Sequence, residues 1–177
     1  MLFYTTSNLS YDLEKRAANM IVTTIKDISQ MQNELIVKKS IRLKADSAKV
    51  WDALTNPELT KQFMFGCEAI SDWKPGSPLL WKGQVKGEDK IFVKGNIVSI
   101  EPRKKLQYTT FGPDSGLKDE PSNYLMVTIE LTPMGAETEL AVTQGDFSTV
   151  EKGEERYKHT LSNWEYTLDG LKKVVEG

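Results

Sequence analysis

The sequence contains one cysteine, Cys67, and one histidine, His159, among its 177 residues. A single cysteine excludes a disulfide within the chain and is typical of a protein from a reducing compartment. One cysteine and one histidine far apart do not form a zinc ligand set. The sequence also contains no calcium-binding loop and no glycine-rich phosphate loop. We therefore expect neither a metal ion nor a cofactor.

The sequence also offers few residues for conventional nucleophilic catalysis. A Ser-His-Asp or Cys-His arrangement would have to use His159, which lies off the apolar stripe of the helix predicted around it. We interpret His159 as a solvated surface residue. Cys67 is followed by Glu68, and a neighbouring negative charge raises the pKa of a thiol. The sequence therefore predicts no catalytic residues.

Neither sign of charge dominates, with 23 Lys and Arg against 25 Asp and Glu and a net charge of −2. Such a balance provides no basic field for binding nucleic acid. No apolar run approaches the roughly 20 residues that span a bilayer. The first residues do not form the basic and apolar pattern of a secretory signal. We expect a cytoplasmic protein without a membrane span.

The N-terminal region has a different pattern from the rest of the chain. After Ser10 the apolar residues follow helical spacing. They are Leu13, Ala17, Met20, Ile21, Ile25, Ile28 and Met31. We predict that residues 1–33 form a loosely attached helical extension. A dimerisation arm and a regulatory lid are the alternatives, and the first of them would make the protein a homodimer. Residues 34–177 then form the main domain.

The main domain begins with an alternating strand at 35–43. Asp46 or Ser47 is then placed to cap a helix at 48–54, and Pro57 begins a second short helix that ends near Met64. Further strands are predicted at 69–73, 79–86, 91–100, 106–111, 124–131 and 138–144. Their short, turn-rich connections are typical of an antiparallel meander.

A long helix is predicted at the C-terminal end of the sequence. Its apolar residues repeat in steps of four and three, which places them on one face. They are Tyr157, Leu161, Trp164, Leu168, Leu171 and Val175. Ser148 and Glu151 match a capping box, while Gly153 weakens the first turn, so the helix is expected to begin near Glu154. A curved sheet around this helix would bury both apolar faces and give an α+β fold.

Four segments resemble a known family. The run ADSAKVWDALTNPEL at 45–59 resembles the opening of START-like (SRPBCC) domains, and more narrowly the activator of heat-shock-protein ATPase-like branch. The segments GNIVSIEPRKKL at 95–106 and TELAVTQGDF at 138–147 agree, as does Asn163-Trp164 followed by Leu171-Lys172. The resemblance covers residues 34–176. It implies a helix-grip fold, in which a seven-stranded antiparallel sheet wraps around a C-terminal helix with an apolar cavity between them.

The resemblance also implies a class of function. Members of the family bind lipids, hormones, polyketides or other apolar ligands, and some are cyclases. Two positions depart from the branch: Phe63 stands where tryptophan is frequent, and Gln144 where histidine is frequent.

The inward positions of the predicted sheet and helix carry many aromatic side chains. These either line a cavity, with indole and hydroxyl groups as its polar anchors, or form a close-packed core. The candidate ligand-binding residues are Phe63, Trp81, Tyr108, Gln144, Tyr157, Trp164 and Leu168. A buried Gln144 needs a hydrogen-bond partner, and we expect that it serves a ligand more than it serves folding.

Three functions follow as hypotheses. The first is a non-enzymatic protein that binds an apolar small molecule between sheet and helix. The second is a chaperone co-factor of the heat-shock ATPase activator type. The third is a cofactor-free cyclase or hydratase that uses Gln144, Tyr108 and Tyr157 in the same cavity.

Overall fold

The computed structural model describes residues 15–22 and 34–177 of the chain, which divides into two units, Met1–Glu34 and Leu35–Gly177. In the first unit, residues 15–22 are helical and their side chains are exposed. This helix includes Ala17, Met20 and Ile21 of the predicted extension. The other predicted positions, Leu13, Ile25, Ile28 and Met31, lie outside the described residues. No helix in the described ranges is long and apolar enough to cross a membrane.

The second unit contains an antiparallel sheet of seven strands, within the part of the chain that the structure describes. Its spatial order is β1-β7-β6-β5-β4-β3-β2. The strands are β1 (Val37–Leu43), β2 (Glu68–Ser71), β3 (Pro78–Val85), β4 (Glu88–Glu101), β5 (Lys105–Thr110), β6 (Leu125–Met134) and β7 (Glu137–Gly145). The predicted meander is confirmed: strands β2 to β6 each pair with the next strand along the chain, and β1 pairs with β7 at the end of the order.

Two short helices and one long helix complete this unit. They are α1 (Ser47–Thr55), α2 (Pro57–Phe63) and α3 (Gly153–Glu176). The Asp46 carboxylate caps α1 by accepting from the Lys49 amide at 2.8 Å, and the Asn56 side chain caps α2. Each cap satisfies an amide donor that the first turn of a helix leaves free, which explains why the helices begin where they do.

The apolar stripe of α3 lies against the inner face of the sheet. Trp164, Leu168, Leu171 and Val175 are buried, together with Thr167. Their counterparts are alternate strand residues, which point to the same face of the sheet because side chains in a strand alternate. These include Leu79, Trp81, Leu106, Tyr108, Leu140 and Val142. The predicted α+β helix-grip architecture is confirmed. Tyr157 and Leu161, nearer the start of α3, are only partly buried.

The start of α3 differs from the prediction. The Ser148–Glu151 capping box is wrong, because Ser148 belongs to a 3₁₀ turn at Phe147–Thr149, where its amide donates to the Asp146 carboxylate at 2.8 Å. The helix begins at Gly153. A β-carbon at Gly153 would overlap the backbone carbonyl oxygen of Phe147. Glycine is therefore required there by space, at the point where the turn meets the helix.

Candidate functional site

The space between the sheet and α3 is filled along one half of the helix. Beside the C-terminal half of α3, the side chains leave an enclosed cavity of only ≈ 20 Å³. Its lining is almost wholly apolar and includes Leu54, Leu79, Leu106, Ile129, Leu140 and Leu171. A cavity of this size holds about one water molecule and no organic ligand.

Along the N-terminal half of α3 the space is hollow. An open cleft of ≈ 560 Å³ lies between the helix, the inner face of strands β3 to β7 and the loop that follows β5. Its sheet and loop walls are largely apolar and aromatic, with Trp81, Phe92, Tyr108, Phe111, Leu117, Leu125 and Val127 among the lining residues. Small-molecule sites typically occupy about 300–1,000 Å³ and have walls of this kind.

The cleft and the enclosed cavity share a wall. Trp81, Tyr108 and Trp164 line both spaces, as do Met64 and Thr167. These side chains therefore form the floor of the cleft and separate it from the packed core beneath. The three aromatic rings of the floor come from β3, β5 and α3, so the floor exists only when helix and sheet are assembled.

The structure brings four of the seven predicted site residues together in the cleft, namely Trp81, Tyr108, Gln144 and Trp164. Phe63 and Leu168 line the enclosed cavity instead. Tyr157 is not among the lining residues of either space, and its ring packs edge-on against Phe147 with 5.8 Å between the ring centroids.

Gln144 joins the helix to the sheet through hydrogen bonds. The Trp164 indole nitrogen donates to the Gln144 amide oxygen at 2.7 Å, and the amide nitrogen donates to the Thr110 hydroxyl oxygen at 3.3 Å. Because an indole N–H can only donate, the amide oxygen has to face it. The Gln144 amide thus has a structural partner on each side, which changes the expectation that it serves mainly a ligand.

We predict that Gln144→Leu destabilises the protein by about 2 kcal/mol, because the buried Trp164 N–H loses its acceptor. Chemical unfolding of the variant measures this cost. Gln107→Leu is the matched control: the Gln107 amide also donates to a threonine hydroxyl, at 3.1 Å, but accepts no indole N–H among the described residues. It should cost about 1 kcal/mol or less. Equal costs for the two variants would show that the indole bond contributes nothing.

Sequence reasoning missed the face that α3 turns to the cleft. The lining residues from this helix and the position before it are Lys152, Glu155, Arg156, His159, Thr160, Asn163, Trp164 and Thr167. Most of them are polar and lie beside the apolar stripe. His159 is exposed, as predicted, but lies at the rim of the cleft. The available signal was the run of positions at helical spacing, 156, 160, 163 and 167, on one side of the stripe.

The loop wall of the cleft is held in place by a small polar and aromatic cluster. The rings of Phe111 and Tyr124 stack with 5.0 Å between their centroids. The Tyr124 hydroxyl donates to the Asp119 carboxylate at 2.7 Å, and Lys94 forms an ion pair with the same carboxylate. The hydrogen bond from Lys94 lowers the pKa of Asp119. These contacts tie the loop to β4.

The chemistry that the cleft offers is binding rather than nucleophilic attack. Cys67 lines the cleft, but burial raises the pKa of its thiol, so the reactive thiolate is disfavoured at neutral pH. Burial likewise raises the pKa of the Tyr108 hydroxyl and keeps it neutral. No cluster of three His, Cys, Asp or Glu side chains placed to hold a metal ion occurs in residues 15–22 and 34–177.

The second unit of the chain also matches a known protein family. Residues 44–176 match the model of the family described as activator of Hsp90 ATPase homolog 1-like protein. The chain belongs to this family. The match covers every helix and strand of the second unit except β1, which precedes it. No curated protein matches the chain in sequence.

Solved structures of other members of this fold resemble the chain. The solution structure of ChR145 from Cytophaga hutchinsonii is 42% identical, with a TM-score of 0.64 over 80% of this chain and 93% of that one. The Aha1 dimer from Colwellia psychrerythraea is 17% identical, with a TM-score of 0.61 over 80% of this chain and 96% of that one. An Hsp90 activator from Plasmodium falciparum is 17% identical, with a TM-score of 0.51 over 63% and 72%. The last two likenesses show the fold alone.

Proposed function

We propose that the protein binds an apolar small molecule in the cleft between α3 and the sheet. The observation that carries this proposal is the contrast along α3: the helix–sheet space is packed at one end and leaves ≈ 560 Å³ at the other. Core packing leaves few voids larger than a water molecule, so an aromatic-walled recess of this size needs an explanation other than folding.

The walls of the cleft favour an apolar occupant. Phe65, Phe92 and Leu117 present apolar surface that the protein covers only in part, and each square ångström buried by a ligand contributes roughly 25 cal/mol. The uncharged polar groups, among them the Tyr108 and Thr160 hydroxyls and the Asn163 amide, are few enough to orient a ligand without making the site hydrophilic.

Blocking the cleft tests the proposal. Dodecanol, which has a long apolar chain and an uncharged head, is the probe ligand. Thr160 lies on the cleft face of α3. We expect the indole of Thr160→Trp to fill the recess and to weaken dodecanol binding by about tenfold or more. Ser162→Trp is the matched control, because Ser162 lies two residues away on the same helix, is exposed and does not line the cleft. Isothermal titration of both variants and wild type measures the effect.

Two results would contradict the proposal. One is equal dodecanol affinity in Thr160→Trp and Ser162→Trp, which would place the binding elsewhere. The other is a wild-type protein that binds no dodecanol at all. Thermal melts of both variants are needed alongside, since a misfolded Thr160→Trp protein would lose binding for a different reason.

Activation of a heat-shock ATPase is the second candidate. It is favoured by the description of the family and by the Hsp90 activator among the similar folds. Protein partners of this kind need roughly 800 Å² of surface on each side, which a recess does not supply. Stimulation of ATP hydrolysis by purified Hsp90 would support this candidate. An unchanged rate in the presence of saturating protein would remove it.

A further inference from the structure

One cationic side chain is built into the wall of the cleft. Arg156 lies in the first turns of α3, lines the cleft and is half-buried. Its Nη2 donates to the backbone carbonyl of Asn123 at 2.9 Å, across the cleft's loop wall, and its Nη1 makes a long contact of 3.5 Å with the Glu151 carbonyl. These bonds hold the guanidinium at the boundary between the helix and the loop.

The charge of Arg156 has no carboxylate partner among the described residues. The ion pairs in residues 34–177 join other side chains, six lysines and Arg42, to acidic groups. A guanidinium carries five N–H donors, and the two carbonyl contacts use two of them. Burial lowers the pKa of Arg156, which is the effect of a charge that is desolvated without compensation. The group nevertheless stays protonated at neutral pH.

The other charged groups at the cleft lie at its rim. Lys152, Glu155 and His159 are all exposed, so water solvates their charges. Among these lining residues, Arg156 differs because its side chain is partly buried and its charge is therefore less solvated by water. A buried charge is costly unless it is paired, and here the protein supplies only neutral carbonyl acceptors.

We propose that the ligand is amphipathic, with an apolar tail against the aromatic floor and a carboxylate head bound by Arg156. This inference rests on the function proposed above and names the ligand class for that site. A carboxylate matches the planar guanidinium, because two parallel N–H groups of the guanidinium can each donate a hydrogen bond to one carboxylate oxygen.

Three probes with one tail and different heads test the inference. Dodecanoate, dodecanol and dodecylamine carry an anionic, a neutral and a cationic head at neutral pH. We expect wild type to bind dodecanoate about tenfold more tightly than dodecanol, since a charge-assisted hydrogen bond is roughly twice as strong as a neutral one. Dodecylamine should bind most weakly. Isothermal titration below the micellar concentration of each probe measures the ranking.

Variants on α3 then assign the preference to one side chain. Arg156→Gln keeps a donor for the Asn123 carbonyl but removes the charge, and it should bind dodecanoate and dodecanol equally. Arg156→Lys restores the charge and should restore part of the preference. Lys158→Met is the matched control: it removes one positive charge from the same helix at an exposed position outside the cleft, and should leave the ranking unchanged.

The outcomes separate this inference from the proposed function. Damage to the fold would weaken the binding of all three probes together. Loss of the carboxylate contact would change only the order of their affinities. If wild type binds dodecanol as tightly as dodecanoate, or if Arg156→Gln keeps the preference, the carboxylate inference is overturned and the apolar site stands. If wild type binds none of the probes, both fall. The wild-type ranking decides between these results even if a variant does not fold.

Discussion

Replacing Trp164 with alanine should destabilise the protein by about 3–5 kcal/mol, the range measured for truncation of buried aromatic residues. The Trp164 side chain is 9% exposed, forms part of the wall between the cleft and the enclosed cavity, and donates its indole N–H to Gln144. Its removal joins the two spaces and deprives the Gln144 oxygen of its donor. For a chain of this size the melting temperature should fall by roughly 10 °C.

Tyr166→Ala is the control for Trp164→Ala. Tyr166 lies two residues further along α3, is 58% exposed and stacks on Phe65 with 4.6 Å between the ring centroids. Its loss should cost about 1 kcal/mol or less, since an exposed pair buries little surface. Differential scanning calorimetry compares the two. A Trp164→Ala protein that melts within about two degrees of wild type would show that α3 does not close the core as described.

Gly95→Ala should destabilise the protein by about 3 kcal/mol through overpacking between strands. Gly95 lies in β4, where a β-carbon would overlap the backbone carbonyl oxygen of Thr109 in β5. The strand would have to move away, and the hydrogen bond from the Asn96 amide to the Thr109 hydroxyl at 3.0 Å would be lost. Neither change can be absorbed by rotating a side chain, because the obstructing atom belongs to the backbone.

Gly112→Ala is the matched control for this substitution. The nearest atoms to a β-carbon at Gly112 are 3.9 Å away, an ordinary contact distance, and its φ of −92° is open to alanine. Urea unfolding should therefore give Gly112→Ala nearly the wild-type stability. If Gly95→Ala unfolds at the same denaturant concentration as Gly112→Ala, the close approach of β4 and β5 is not the reason for glycine at this position.

The fold could be predicted from the sequence because its evidence is local and periodic. Alternation places Leu140, Val142 and Gln144 on one face of β7, and all three are buried in the structure. The steps of four and three in the C-terminal segment predict the buried face of α3 in the same way. The periodic spacing of apolar residues is still recognisable when the predicted ends of a strand or helix are wrong by a few residues. The architecture could therefore be predicted from the sequence.

The position of the cleft could not be predicted, because it depends on how far α3 lies from the sheet along its length. The stripe is continuous in sequence from Tyr157 to Val175, yet only its C-terminal part is fully buried. Arg156 and Thr160 line the cleft from a polar side that periodicity assigns to water. No pattern in one sequence reports the distance between two elements that are remote along the chain.

Local irregularities account for two further differences. A register shift in the pairing of β3 with β4 lies between Trp81 and Lys82, whose partners are Val93 and Ile91. Phe92 therefore has no direct partner on β3, and simple alternation could not have placed it in the cleft wall. Helix propensity alone marks Gly153 as a weak first turn. In the structure, its lack of a β-carbon is what allows α3 to begin beside Phe147.

Native mass spectrometry of the freshly purified protein tests ligand binding in the cleft most directly. It should detect a noncovalent small molecule on wild type, or one equivalent of added dodecanol if the protein is purified empty. Ser162→Trp should carry the same additional mass, and Thr160→Trp should not, because its indole occupies the recess that Thr160 lines. A Thr160→Trp protein that is folded and retains the same additional mass as wild type would contradict the proposed site.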